Sequence, residues 1–217
     1  MITYYFGLPG CGKTTLLVAK ALEFNDLINS GKSRYSRVLS NVPFSLPEGV
    51  VSNCFLFENS DFGHYDMSDA YVLYDESSDD LDCRSYNSLD PAVRYALMHH
   101  RHEHQNLFFF NQLADGIDKK VRMITNNVYY VKPSFTGRKL VPMHVGFDIF
   151  IPRKPSQKEL MSMTNSGQIT QLYYRPGLFD NLFHRLFVER SRVYKKYYSY
   201  FDSFDRVPLP KKEFKQL

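Results

Sequence analysis

Eight consecutive residues, Gly7-Leu8-Pro9-Gly10-Cys11-Gly12-Lys13-Thr14, spell the pattern G-x-x-x-x-G-K-[ST]. Glycines at these spacings let the backbone wrap a phosphate with its N–H groups turned inward. A helix that starts at the lysine adds the positive end of its dipole. Lys13 then reaches β- and γ-phosphate oxygens, and the Thr14 hydroxyl supplies a hard oxygen for Mg²⁺. The expected nucleotide contacts are Gly7, Pro9, Gly10, Cys11, Gly12, Lys13, Thr14 and Thr15. The flanks suit the chemistry. Ile2–Phe6 is a short β-rich apolar run, and residues 13–28 carry apolar side chains near helical spacing.

A second run, Tyr71-Val72-Leu73-Tyr74-Asp75-Glu76, ends an apolar strand in two acids. Asp75 can hold Mg²⁺ through water, and Glu76 can orient and polarise the attacking water. An exposed acidic turn is the competing reading, since Asp79, Asp80 and Asp82 follow. The phosphate-binding pattern upstream favours the metal-holding acid, because phosphate chemistry there needs one. The apolar run at 107–110 ends in Asn111-Gln112. If that strand lies between the two already described, Gln112 faces the γ-phosphate as a sensor or water-positioning amide. Asn111 should face the other way. A strand-end amide closing a turn is the alternative.

The segment His99-His100-Arg101-His102-Glu103-His104 could suggest a metal, but no cysteine or carboxylate set completes one. Arg101 is the better candidate, as a charge stabiliser reaching a neighbouring subunit's nucleotide; Arg84 and Arg122 are lesser ones. A solvated or ion-paired arginine is the alternative.

The elements that must position these groups alternate. Strands are expected at 2–6, 37–40, 70–74, 107–110, 128–131 and 141–151, with short ones near 50–57. Helices are expected at 13–28, from Pro91 to the histidines, and at 117–124. Such alternation implies a parallel sheet covered on both faces.

Charge divides the chain. Residues 1–151 hold 14 basic and 17 acidic residues, and residues 152–217 hold 13 and 6. A basic tail suits an anionic partner, nucleic acid or lipid head groups, or is simply a solvated face. Within it, Leu178, Phe179, Leu182, Phe183, Leu186 and Phe187 read as the start of an apolar helical stripe. That stripe would pack on the domain or touch a membrane or DNA backbone. Three cysteines without metal spacing (Cys11, Cys54, Cys83) argue for a reducing, cytosolic setting. No secretory leader and no run of about 18–20 apolar residues is present, so a soluble chain is expected.

The ordered set of Asp75-Glu76, Arg84, Pro91, His100-Arg101-His102, Asn111-Gln112, Ile117-Asp118 and Val121-Arg122 resembles the zonular occludens toxin (Zot) family. That family includes the gene I morphogenesis proteins of filamentous phages. Ser40-Asn41-Val42-Pro43 and the aromatic stretch at 198–204 are similar too. The resemblance implies an FtsK/HerA-like ATPase that energises extrusion of single-stranded phage DNA and virion assembly at the cytoplasmic face of the host inner membrane. Oligomers, hexameric rings among them, other assembly proteins and peripheral membrane contact are implied as well. Unlike many relatives, this sequence shows no membrane span, and Ser77-Ser78 after the acids is unusual.

The expectation is therefore an α/β P-loop NTPase, a three-layer sandwich on a mostly parallel sheet. Residues 1–151 would form the ATPase domain and 152–217 a basic, aromatic-rich loop and helical C-terminal segment, loop-like over 152–176. ATP and Mg²⁺ are the expected cofactors, with Lys13, Glu76, Gln112 and Arg101 as the catalytic group and Thr14 and Asp75 on the metal. A small-molecule phosphotransferase and a nucleotide-dependent scaffold are the rival functions.

Overall fold

Strand β1 (Ile2–Phe6) is buried along its whole length, as the middle of a covered sheet requires. The computed structural model describes residues 1–77, 90–113, 121, 124–133, 144–150, 187–194 and 200. After β1 come helix α1 (Lys13–Asn29), β2 (Arg37–Ser40), β3 (Cys54–Leu56) and a single 3-10 turn at Asn59–Asp61. Then follow β4 (Ala70–Asp75), α2 (Pro91–His99), β5 (Asn106–Asn111), β6 (Asn127–Pro133), β7 (His144–Phe150) and β8 (Phe187–Tyr194).

The strands form one sheet in the order β3-β2-β4-β5-β1-β6-β7-β8. The first six are mutually parallel, and β7 and β8 are added antiparallel. β5 lies between β1 and β4, as the placement of Gln112 required.

Side-chain alternation builds a core on each face. Tyr5, Tyr71, Leu73, Phe108 and Phe110 pack with Leu16, Leu17, Val18 and Ala21 of α1. Tyr4, Phe6, Val72, Tyr74, Leu107 and Phe109 pack on the other face with Leu97 of α2 and Phe62. Aromatic rings supply much of the filling: Phe24 stacks on Tyr71 with centroids 4.1 Å apart, and Phe62 meets Tyr74 edge-on at 5.6 Å. Helix, sheet and helix make the three layers.

α1 starts without a side-chain cap, because its N-cap residue Gly12 has no side chain to accept a hydrogen bond. α2 starts conventionally. Asp90 accepts from the Ala92 N–H and Pro91 sits in the first turn.

The C-terminal reading needs correction at one place. Phe187–Tyr194, expected to continue a helix, is strand β8 paired with β7. The run FVERSRVY is rich in β-branched and aromatic residues, and an open sheet edge beside it outweighs a weak 3.6-residue period. The rest of the expected helix, most of the short helix at 117–124, and Cys83, Arg84 and Arg122 lie outside the described residues. Among the described residues no helix is long and apolar enough to cross a membrane.

Candidate active site

The C-terminal ends of β1, β4 and β5 meet at one edge of the sheet, and the groups with chemistry collect there. β1 delivers the phosphate loop. Gly7 is required by close approach: a Cβ on it would lie 2.5 Å from the Val131 carbonyl oxygen and 2.8 Å from Cys11 Sγ. Gly12, at φ 91, takes the left-handed conformation that brings the chain into α1. Its carbonyl accepts from Leu16 N–H at 2.9 Å, so helical bonding begins at the end of the loop. Lys13 is buried, and its Nζ donates to Gly7 O at 2.9 Å and Leu8 O at 3.2 Å. The ammonium is thus held within the loop that it would serve. Cys11 is buried beside it. Burial raises the thiol pKa, with the Lys13 charge opposing, so the sulfur is a poor nucleophile.

β4 delivers the acids. Asp75 shares its side of the pleat with Tyr71 and Leu73, the face that α1 covers, and so looks toward the start of that helix. Thr14 Oγ1 donates to Asp75 Oδ2 at 2.7 Å. The other carboxylate oxygen accepts the Glu76 N–H at 3.1 Å. Burial pushes the Asp75 pKa up, opposed by these two hydrogen bonds. A buried carboxylate beside a threonine hydroxyl is a hard-oxygen pair of the kind Mg²⁺ takes, so the residues fit that ion. Glu76 itself is exposed, in a left-handed conformation with φ 49 that few non-glycine residues adopt. Such backbone strain gathers at functional sites.

Two further strands pin this edge. Asn111 is fully buried, and its amide donates to Ser77 Oγ at 2.8 Å. Its carbonyl accepts from Gly7 N–H at 3.2 Å, so β5 ties the loop to the residue after the acidic pair. Asn111 shares its side of the pleat with Leu107 and Phe109, on the face of the sheet opposite α1. Gln112 follows one residue beyond β5 and is exposed. Asn41 begins the Asn41-Val42-Pro43 sequence that closes β2. Here its side-chain amide accepts the Asp75 N–H at 2.7 Å and donates to the Asp75 carbonyl at 2.9 Å. An Asn-Val-Pro sequence closing a strand was the available signal.

Arg101 is not among these groups. It sits in the turn between α2 and β5, at the other end of the sheet from its own phosphate loop. The Met1 ammonium there donates to Gln105 O at 3.1 Å. The length of β1, about 15 Å, separates the two ends. Arg101 is exposed, lines a 360 Å³ cavity with His100, Ile124 and Asn126, and makes no ion pair among the described residues. Within one chain it cannot touch a nucleotide at Lys13. The neighbouring histidines hold no metal-type cluster among the described residues.

No family model matches the chain, and no curated protein matches it. Among solved structures it is similar to the N-terminal domain of zonular occludens toxin from Neisseria meningitidis. The TM-score is 0.52 at 18% identity, over 93% of this chain and 98% of that one. The genome packaging NTPase B204 from Sulfolobus turreted icosahedral virus 2 in complex with sulfate matches at TM-score 0.44 and 14% identity, over 69% and 90% of the two chains. Its complex with ATP-gammaS matches at 0.43 and 12%, over 78% and 87%. The first comparison establishes a shared fold across nearly the whole of both chains.

Proposed function

We propose that the chain is an ATPase in which the loop at Gly7–Thr15 holds MgATP and Glu76 activates water. The observation that carries this reading is the 2.7 Å hydrogen bond between Thr14 and Asp75. It joins the phosphate loop to the acidic strand end across the intervening β5. Mg²⁺, held by Thr14 directly and by Asp75 through water, would supply charge neutralisation on the phosphates. The protein's own groups do the rest. Lys13 exchanges its two loop carbonyls for β- and γ-phosphate oxygens. The backbone N–H groups of the loop and the first turn of α1 face the same anion. Glu76 takes the proton of the attacking water as its oxygen bonds to the γ-phosphorus and ADP leaves. The Gln112 amide, one residue past β5, orients that water or reads the γ-phosphate.

Arg101 lies too far to complete this site in its own chain, so we assign it to the nucleotide of an adjacent copy, in a ring that six subunits would close. The work of the cycle, on this reading, is export of single-stranded phage DNA and virion assembly at the cytoplasmic face of the host inner membrane. The basic residues beyond 152 would be the contact to nucleic acid or to lipid head groups, and other phage assembly proteins would be its partners. The Zot-like fold and the ordered motif set support this choice over a phosphotransferase.

Phosphate release from ATP with and without single-stranded DNA, together with the mass of the ATP-bound species, tests the proposal. Turnover by an oligomer, raised by DNA, is expected. Phosphate transfer to nucleosides instead would point to a kinase. Assembly with background phosphate release would point to a scaffold.

A further inference from the structure

We propose that Asn41 is a positioning residue whose side-chain amide stands in for missing backbone and thereby fixes Asp75 and Glu76; the inference rests on the ATPase reading above. β2 and β4 run parallel, with Ser40 opposite Leu73. In a parallel ladder the next bonds of β2 would be donation from residue 41 to Leu73, acceptance by residue 41 from residue 75, and donation from residue 43 to residue 75. The first is present: Asn41 N–H donates to Leu73 O at 3.3 Å. The other two are not made by backbone. Asp75 N–H goes to Asn41 Oδ1 at 2.7 Å, a side-chain carbonyl in place of a main-chain one. The donor that would come from position 43 does not exist, because Pro43 has no N–H. Asn41 Nδ2 supplies it, donating to Asp75 O at 2.9 Å.

The consequence is local and directional. The chain of β2 is free to turn away into Val42-Pro43, yet β4 stays in register for one residue longer. That residue is the acid that meets Thr14, and the carbonyl so held belongs to the peptide that carries Glu76 in its left-handed conformation. Asn41 Nδ2 also donates to Asn59 Oδ1 at 3.0 Å, so the amide's own orientation is set by the 3-10 turn. An asparagine that merely closed a turn would bond its own strand. This one spends both polar atoms on a single residue of the neighbouring strand. Aspartate would keep the acceptor, lose the donor and add charge beside two carboxylates. Glutamine would be a methylene too long.

The test uses the full chain with Asn41→Ala, Asn41→Asp and the milder surface variant Asn59→Ala. The first readout is amide hydrogen exchange at Asp75 and Glu76, which needs neither nucleotide nor turnover. The second is the turnover of MgATP set against ATP affinity without Mg²⁺. In Asn41→Ala these two amides should exchange about 10-fold faster or more, with Val72 and Leu73 unchanged, and in Asn41→Asp, which keeps the acceptor for the Asp75 N–H, they should speed up less. The kcat should fall about 10- to 100-fold while Mg²⁺-free affinity stays within about 3-fold. Asn59→Ala should move the same readouts less far, and decides the matter if the Asn41 variants do not fold. Unchanged exchange at Asp75 would overturn the positioning role. A wild-type chain that binds MgATP without releasing phosphate would instead overturn the ATPase reading, with the exchange data still judging Asn41.

Discussion

The two ends of the parallel sheet differ in how completely their buried polar groups are matched. At the C-terminal ends of β1, β4 and β5, nearly every buried polar atom is matched. Lys13 has its loop carbonyls, Asp75 has Thr14 and Asn41, and Asn111 has Ser77. At the N-terminal ends lie His100, Gln105 and Asn106, each with a buried polar atom that has no partner among the described residues. The Met1 ammonium and Arg101 lie near one another, and His100 Nε2 is buried without a hydrogen-bond partner among the described residues. Burial, with the Met1 and Arg101 charges adding to it, keeps the His100 pKa below its ordinary 6.5. A parallel sheet produces this asymmetry because every strand delivers its last residue to the same edge. One end gathers the glycine loop, Lys13 and the acidic pair, and the other presents an exposed arginine.

Four substitutions can break or sharpen that contrast. Lys13→Ala should have the largest effect, lowering nucleotide affinity by about 100-fold or more in a titration with a fluorescent ATP analogue, since the loop loses its one cation aimed at the phosphates. Gly7→Ala should cost about 1–3 kcal/mol in chemical denaturation, because the new methyl meets Val131 backbone rather than a flexible side chain. Arg101→Ala should leave nucleotide affinity of the isolated chain within about 2-fold, being on the far end, while lowering turnover of the oligomer. A loss of affinity in the monomer would contradict its placement. The smallest effect belongs to His100. Its pKa is lower folded than unfolded, so the unfolded chain binds the extra proton between the two values. Stability should be complete above pH 6.5 and should decline as pH falls through that value toward the folded pKa. His100→Gln should flatten the dependence in denaturant melts between pH 5 and about 7.5.

Much of the catalytic edge could be read from the chain itself because its signals are local. A glycine pattern that works through backbone N–H groups needs only its own eight residues and the strand before it. Asp75-Glu76 needed only an apolar strand ending in acid. The role of Asn41 could not be read that way. It depends on the register between β2 and β4 and on which donor Pro43 removes, facts that exist only once two distant segments lie side by side. The position of Arg101 was not legible for a related reason: composition marks an arginine as available but says nothing of which end of a strand it occupies. β8 shows the weakness of periodicity. Over eight residues, alternation and helical spacing look alike, and the unpaired edge of β7 decided between them.

The central claim is that Glu76, held beside Asp75, activates water on a triphosphate bound at Lys13. Phosphate release by wild type and Glu76→Gln, measured at saturating MgATP after both have been shown to bind it equally, tests this most directly. Turnover should fall about 100-fold or more with binding retained. Equal turnover in the two proteins would contradict it.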